Sequence, residues 1–435
     1  MDCRKILTKI TEIYILLFAS IHLLYFGFSG YSHIFDAKKT TFCTISLLYF
    51  IAVFIAVFVC YDREKMSIRN FLKNNVSPTR LCVIFYMLFT IISALLSDYF
   101  PKTLLGISRF EGAFTISLYC ISFLLVSFFP IGKKYLLYVF AVCVTLFSVL
   151  CVIQLFSFNP LSLYPKGTNF YDAGVIYTTA FIGTTGNTNL TGAFICTAFP
   201  FLAVTMLKTK GKSRVLLLIP LSLLSYIILV MGVDSAIVGV FACVIITLPL
   251  LLDFSKKGII LYIAMLVIVV ILLSTFIYFY PPESGFLKEA SEILHGNIDE
   301  SFGSGRIRIW KNVLSEIPDS PIFGKGPDTM KMEKFPPFER FYPARNKVMK
   351  TGIDVAHNEP LNILYHQGFA GLIFYLGFIF FTLCNWYRNR KNPLILALGA
   401  SVICYFVQSL FTFSMCISAP YFWICAGLLH AHSKN

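Results

Sequence analysis

The feature that most limits how this chain can fold is a series of apolar stretches, each close to the length of a bilayer crossing. A helix rises about 1.5 Å per residue and so needs about 20 residues to cross a hydrocarbon core about 30 Å thick. Such stretches run over residues 11 to 30, 41 to 60, 80 to 96, 113 to 130, 135 to 156, 189 to 207, 215 to 233, 235 to 252, 258 to 280, 361 to 384, 393 to 414 and 417 to 430. Lipid offers no partner to an open amide, so segments of this kind satisfy their backbone as helices. The sequence predicts an all-α polytopic membrane protein with about 12 transmembrane helices. Composition agrees: 57% of the 435 residues are apolar and 13% charged, whereas about a quarter of a soluble domain is charged. The 45 Phe and 23 Tyr suit lipid-facing surfaces and interfacial belts.

A net charge of +14 would invite nucleic acid in a soluble protein. In a membrane protein, sidedness is the first explanation of such charge. If Met1 is cytoplasmic, alternation puts Arg63, Lys65, Arg69, Lys73, Lys133, Lys134, the segment Lys208 to Arg214, Lys256, Lys257 and the segment Arg388 to Lys391 on one side. The positive-inside rule then makes that side the cytoplasm. A plasma-membrane protein with both termini cytoplasmic is expected, with no nucleic-acid partner. The stretch after Lys9 is too long for a cleaved signal and has no small-residue cleavage site, so it reads as the first span. The thirteen cysteines lie mostly in spans without a Cys-x-x-Cys, which predicts neither a disulfide framework nor structural zinc.

One large polar block breaks the pattern. Residues 281 to 359 face the outside in this orientation and carry eleven Lys or Arg against twelve Asp or Glu. The chain accordingly divides into helices 1 to 9 (residues 1-280), an extracytoplasmic loop subdomain with short helices (281-359) and helices 10 to 12 (360-435). Within the loop, Ile307, Trp310, Val313, Leu314 and Ile317 recur at helical spacing after Ser304, read as an N-cap, and before Pro318. That puts Arg306 in the first turn, where the helix dipole welcomes anions. A phosphate docked there would be held by amides and guanidinium together. Segment 319–327 is rich in Gly and Pro and reads as a tight turn, without the spacing of a nucleotide loop. Asn358 is an N-cap candidate for the next span, with Pro360 in its first turn. His357 would then sit at the membrane face with a side chain suited to general-base work near neutral pH. His366 and His22 are weaker candidates inside spans.

In order along the chain come Gly106-Ile-Ser-Arg-Phe-Glu-Gly112, Gly186-Asn-Thr-Asn189, Ser304-Gly-Arg-Ile-x-Ile-Trp310, Ser320-Pro-Ile-Phe-Gly-x-Gly326, His357-Asn358, and Gly368 with Gly371. This series resembles the O-antigen ligase and polymerase family over roughly residues 95 to 425. The sequence departs from the family pattern at Thr188, where a proline is common, and at Asp234-Ser235-Ala236, where an arginine often stands between Ser and Gly.

The resemblance implies an enzyme without metal or cofactor. It moves a glycan from an undecaprenyl-diphosphate carrier to a hydroxyl of a glycan, lipid or other acceptor on the outer face of the plasma membrane. Because the second departure removes one expected arginine, Arg109 and Arg306 are assigned to the diphosphate, with Arg308 as a third. His357 is assigned as base with Asn358 orienting it, and Asn187 and Asn189 as possible supports. Attack opposite the leaving group would invert the anomeric carbon. The alternative is a lipid-linked oligosaccharide flippase or another multi-span transporter. That reading predicts charged residues lining a path through the spans, and the predicted spans contain few.

Overall fold

The computed structural model describes residues 3–64, 76–169, 172, 181–283, 285–342 and 347–433. The basic residues Lys65, Arg69 and Lys73 lie outside them. The chain is a multi-pass helical membrane protein. Its helices are α1 (Cys3–Leu17), α2 (Ile34–Glu64), α3 (Pro78–Leu96), the short α4 (Lys102–Leu105), α5 (Ala113–Val126), α6 (Lys134–Leu155), α7 (Thr188–Lys208), α8 (Lys212–Met231), α9 (Asp234–Leu251), α10 (Lys256–Phe279), α11 (Gly285–Leu294), α12 (Phe302–Glu316), α13 (Glu359–Arg388), α14 (Pro393–Ser409) and α15 (Ala419–His432). Among the described residues, eight helices are long and apolar enough to cross a membrane. The 14-residue α5 and 17-residue α14 are apolar but shorter.

Local chemistry starts these helices where the sequence marks them. Ser77, Asn187, Ser255, Asn358 and Asn392 each accept a hydrogen bond from an amide of the first turn, and α3, α13 and α14 have proline just inside the start. Burial then sorts them. Helix α7 is the most enclosed span, with 67% of its apolar window buried, while α10 has no fully buried residue. Helices α7, α9 and α14 share one core, and Phe89 of α3 stacks on Phe374 of α13 at 5.4 Å.

The structure corrects several expectations. Helix α2 begins at Ile34, not near 41, and so takes Lys38 into the buried interior. A π-turn at Phe18–His22 disturbs the carbonyl ladder after α1, and Lys38 Nζ donates to the freed carbonyls of His22 and Leu23. The lysine stitches two helices together. Cys3 is disulfide-bonded, and among the described residues eleven other cysteines are free. The polar block contains a hairpin the sequence reading did not predict: β1 (Phe338–Tyr342) pairs antiparallel with β2 (Lys347–Thr351), with Arg340 opposite Met349. Helix α12 buries Ile309 and Val313 against Met330, Ile353, Ala356 and Tyr365, with Trp310 and Ile317 packed alongside. Leu314, placed on that face from its spacing, is 52% exposed.

Candidate active site

The site begins with a break in α13. Gly368 has φ 67° and ψ −170°, outside helical geometry. The carbonyls this frees are taken up by segment 321–327: Lys325 N donates to Tyr365 O and Gly326 N to His366 O, both at 3.0 Å, and Phe369 N donates back to Pro321 O at 2.8 Å. A Cβ on Gly324 would lie 2.5 Å from the His366 carbonyl, and one on Gly368 would lie 2.3 Å from Ile322 O. Only glycine allows backbone to approach backbone this closely. The Ser-Pro-Ile-Phe-Gly-x-Gly motif is therefore a splint on a broken helix. His366 is buried and bonds through Nδ1 to Gly326 O at 2.8 Å, while His22 lies between the Tyr421 hydroxyl and the Cys416 carbonyl. Both histidines brace the fold.

The splint delivers Asp328, which is only 4% exposed. Its Oδ2 accepts from the amides of Ile107, Ser108 and Arg109 at 2.7, 2.9 and 2.9 Å, and its Oδ1 from the Ser108 hydroxyl at 3.0 Å. The Gly106–Gly112 loop is a backbone cradle around one carboxylate. Its glycines are required: a Cβ on Gly112 would lie 2.3 Å from Gly106 N.

This cradle fixes Arg109. The guanidinium donates to Asp354 Oδ2 at 2.6 Å and lies over the Phe413 ring at 4.6 Å from its centroid. His357 meets the same ring edge to face at 5.4 Å. One aromatic side chain thus gathers Arg109 and His357, which are far apart in sequence. Leu190, just after the Asn187–Asn189 segment, packs into the same cluster with Val355 and Phe413. Asn187 caps α7 by accepting from Asn189 N at 2.8 Å. Lys39 adds a cation 4.3 Å over the Phe110 ring.

The backbone at His357 is held from both sides. The residue has φ 50°, a left-handed conformation uncommon outside glycine. Ala356 N donates to Asn362 Oδ1 at 3.2 Å, and Trp310 Nε1 donates to Ala356 O at 2.9 Å. Asn358 Oδ1 accepts from Leu361 N at 2.9 Å, the expected cap.

The Trp310 bond also docks α12 beside this segment. Arg306 lies one turn earlier on the same face of the helix, and its Nη1 donates to Gly303 O at 2.9 Å. Ser304 does not cap as expected. Gly303, Ser304 and Gly305 are successive left-handed residues, and no side-chain cap bond is present at this helix start. Arg308 turns to Glu300, with Nε 3.7 Å from Oε2.

Several residues here gave no signal in the sequence reading. Asp328, Asp354, Glu359 and Phe413, with Arg109 and Glu111, line a cavity of about 40 Å³, room for ordered water. Glu111 Oε1 accepts from the Tyr119 hydroxyl at 2.7 Å and from Cys416 N at 2.8 Å. Burial, reinforced by Glu359 and Asp328, pushes its carboxyl well above the usual range despite the Tyr119 bond. The sequence signal for Glu111 is a lone carboxylate beside Arg109 between Gly106 and Gly112. Phe413 read as one more apolar residue of a span.

Residues 219–376 match the family model described as O-antigen ligase. No curated protein matches the chain.

Proposed function

We propose that this membrane protein, whose residues 219–376 match the O-antigen ligase family model, transfers a glycan from an undecaprenyl-diphosphate carrier to an acceptor hydroxyl at the extracytoplasmic membrane face. In this reading the chain makes about twelve passes, both termini are cytoplasmic, and residues 281 to 359 lie outside. The observation that carries it is the shared Phe413 ring, with a guanidinium on it at 4.6 Å and an imidazole at 5.4 Å.

The chemistry needs two things. Negative charge builds on the leaving diphosphate, and preorganised guanidinium groups stabilise it better than water can. The acceptor hydroxyl loses a proton as it attacks, and an imidazole in reach takes it. Arg109 and Arg306 are assigned to the diphosphate and His357 to the proton. Asn358 acts on His357 through the backbone, because its side chain caps α13. Arg308 is assigned a lesser share, since Glu300 already holds it. Asp354 keeps Arg109 oriented until the diphosphate shares the guanidinium. Attack from the face opposite the diphosphate inverts the anomeric centre, and no metal is required.

The test is transfer by the purified protein from a defined lipid-linked donor to a panel of candidate acceptors. Product with inverted configuration that is insensitive to chelators is expected. Loss of transfer on chelation would redirect the mechanism to the carboxylates. Donor crossing sealed vesicles with no new glycosidic bond would favour a flippase.

A further inference from the structure

A second cavity, of about 310 Å³, opens at the other end of the helices from the candidate site. Its place follows from α7. That helix starts beside Phe413, whose apolar cluster includes its Leu190, and its 21 residues span about 31 Å before ending at Lys208 on the cavity rim. Helix α14 gives the same direction, running from Pro393 on the rim to Ser409, just before Phe413. The rim and the candidate site are therefore about one hydrocarbon core apart.

The cavity follows one face of α7 through Thr197, Phe201, Thr205 and Lys208. The eleven steps from Thr197 to Lys208 rise about 16 Å, about half of a 30 Å core, so the cavity is one leaflet deep. Phe18, Phe140, Leu398, Tyr421 and Leu428 line it with largely apolar surface. The mouth is cationic. Lys133, Lys134 and Lys208 line it, and among the described residues no carboxylate forms an ion pair with any of the three. Lys208 Nζ donates to Leu251 O at 3.2 Å, which leaves two of the ammonium's three donors.

We propose that this cavity binds an anionic glycerophospholipid from the leaflet opposite the candidate active site, with one acyl chain in the cavity and the phosphate held by Lys133, Lys134 and Lys208. Depth fits a chain drawn from a single leaflet, and the charge at the mouth fits a headgroup at the bilayer surface. The glycan carrier fits worse, because a diphosphate bound at the rim would lie a membrane's thickness from Arg109.

The test is photo-crosslinking of the full-length protein in phosphatidylcholine nanodiscs doped with phosphatidylglycerol or phosphatidylcholine carrying an acyl-chain diazirine, with adducts mapped by mass spectrometry. Helix α10, exposed along its whole length, reports labelling by bulk lipid. Phosphatidylglycerol should label peptides carrying Phe140, Phe201 and Leu428 about tenfold over α10, and Lys133→Ala with Lys134→Ala and Lys208→Ala should remove that preference. Equal labelling by both probes, or cavity labelling no higher than α10, overturns the proposal. If the triple variant fails to fold, competition on the unaltered protein decides. Unlabelled phosphatidylglycerol should displace the probe better than phosphatidylcholine, and stronger displacement by a polyprenyl phosphate overturns the proposal in favour of the carrier.

Discussion

Two turns carry the proposed diphosphate-binding arginines, and they are held by opposite means. The Arg109 turn closes around Asp328, a carboxylate more than two hundred residues away that takes three consecutive amides. The Arg306 turn is shaped by its own left-handed run at Gly303, Ser304 and Gly305, with Gly303 N donating to Glu289 as its link to α11. The first turn is closed by a distant carboxylate, and the second is shaped mainly by its own backbone with Glu289 as an added link. Damage to the first support should therefore cost more stability than damage at the second.

Asp328→Ala tests the first half and should have the largest effect. Hydrogen bonds to a charged group contribute about 1.5–3 kcal/mol each, and here several donors lose their acceptor inside the protein. We expect a loss of about 3 kcal/mol or more in thermal unfolding, with transfer abolished. Asp328→Asn, which keeps one carbonyl oxygen, should fall between. Arg306→Ala tests the second half. Transfer should drop by about 10²–10³-fold, the scale of removing one preorganised charge donor, while the loss of unfolding stability stays well below that of Asp328→Ala. A large fall in stability would mean that this turn is also held by tertiary structure.

Asp354→Asn separates holding Arg109 from competing for it. The pair is partly exposed, with side chains 23% and 36% accessible, so less than about 1 kcal/mol of stability is at stake. Donor KM should change by less than about tenfold. Glu111→Gln should have the smallest effect at acid pH and a growing one above it. A carboxyl raised in the fold above its ordinary value of 4.5 binds its proton more tightly folded than unfolded. Its contribution is therefore fully present at low pH and is lost as pH rises through the folded value. The glutamine variant should lose less melting temperature as pH rises above the ordinary carboxyl range, and an unchanged slope would remove Glu111 as the cause.

The same contrast explains what the sequence made legible. Arg306, Trp310, His357 and the Asn358 cap could be read because their signals are local: a helical period, a cap residue, a proline. Ser304 misled because a serine before an amphipathic run looks the same whether it caps or turns left-handed. The Arg109 cradle was visible as two glycines around Arg and Glu, but Asp328 was not, since a one-dimensional pattern carries no link across 219 residues. Phe413 was hidden for a different reason. Apolarity predicted one span over 393 to 414, yet α14 ends at Ser409. Hydrophobicity alone does not distinguish a ring facing lipid from a ring beneath an arginine and a histidine.

The most direct measurement of the central claim is single-turnover transfer from a lipid-linked donor, with donor affinity measured in parallel, for His357→Ala and Arg109→Ala. If imidazole and guanidinium serve one pocket in the assigned roles, His357→Ala should bind donor normally and transfer about 10²–10⁴-fold more slowly, while Arg109→Ala should lose affinity and rate together. Unimpaired transfer by His357→Ala would contradict the assignment of a base beside the bound diphosphate.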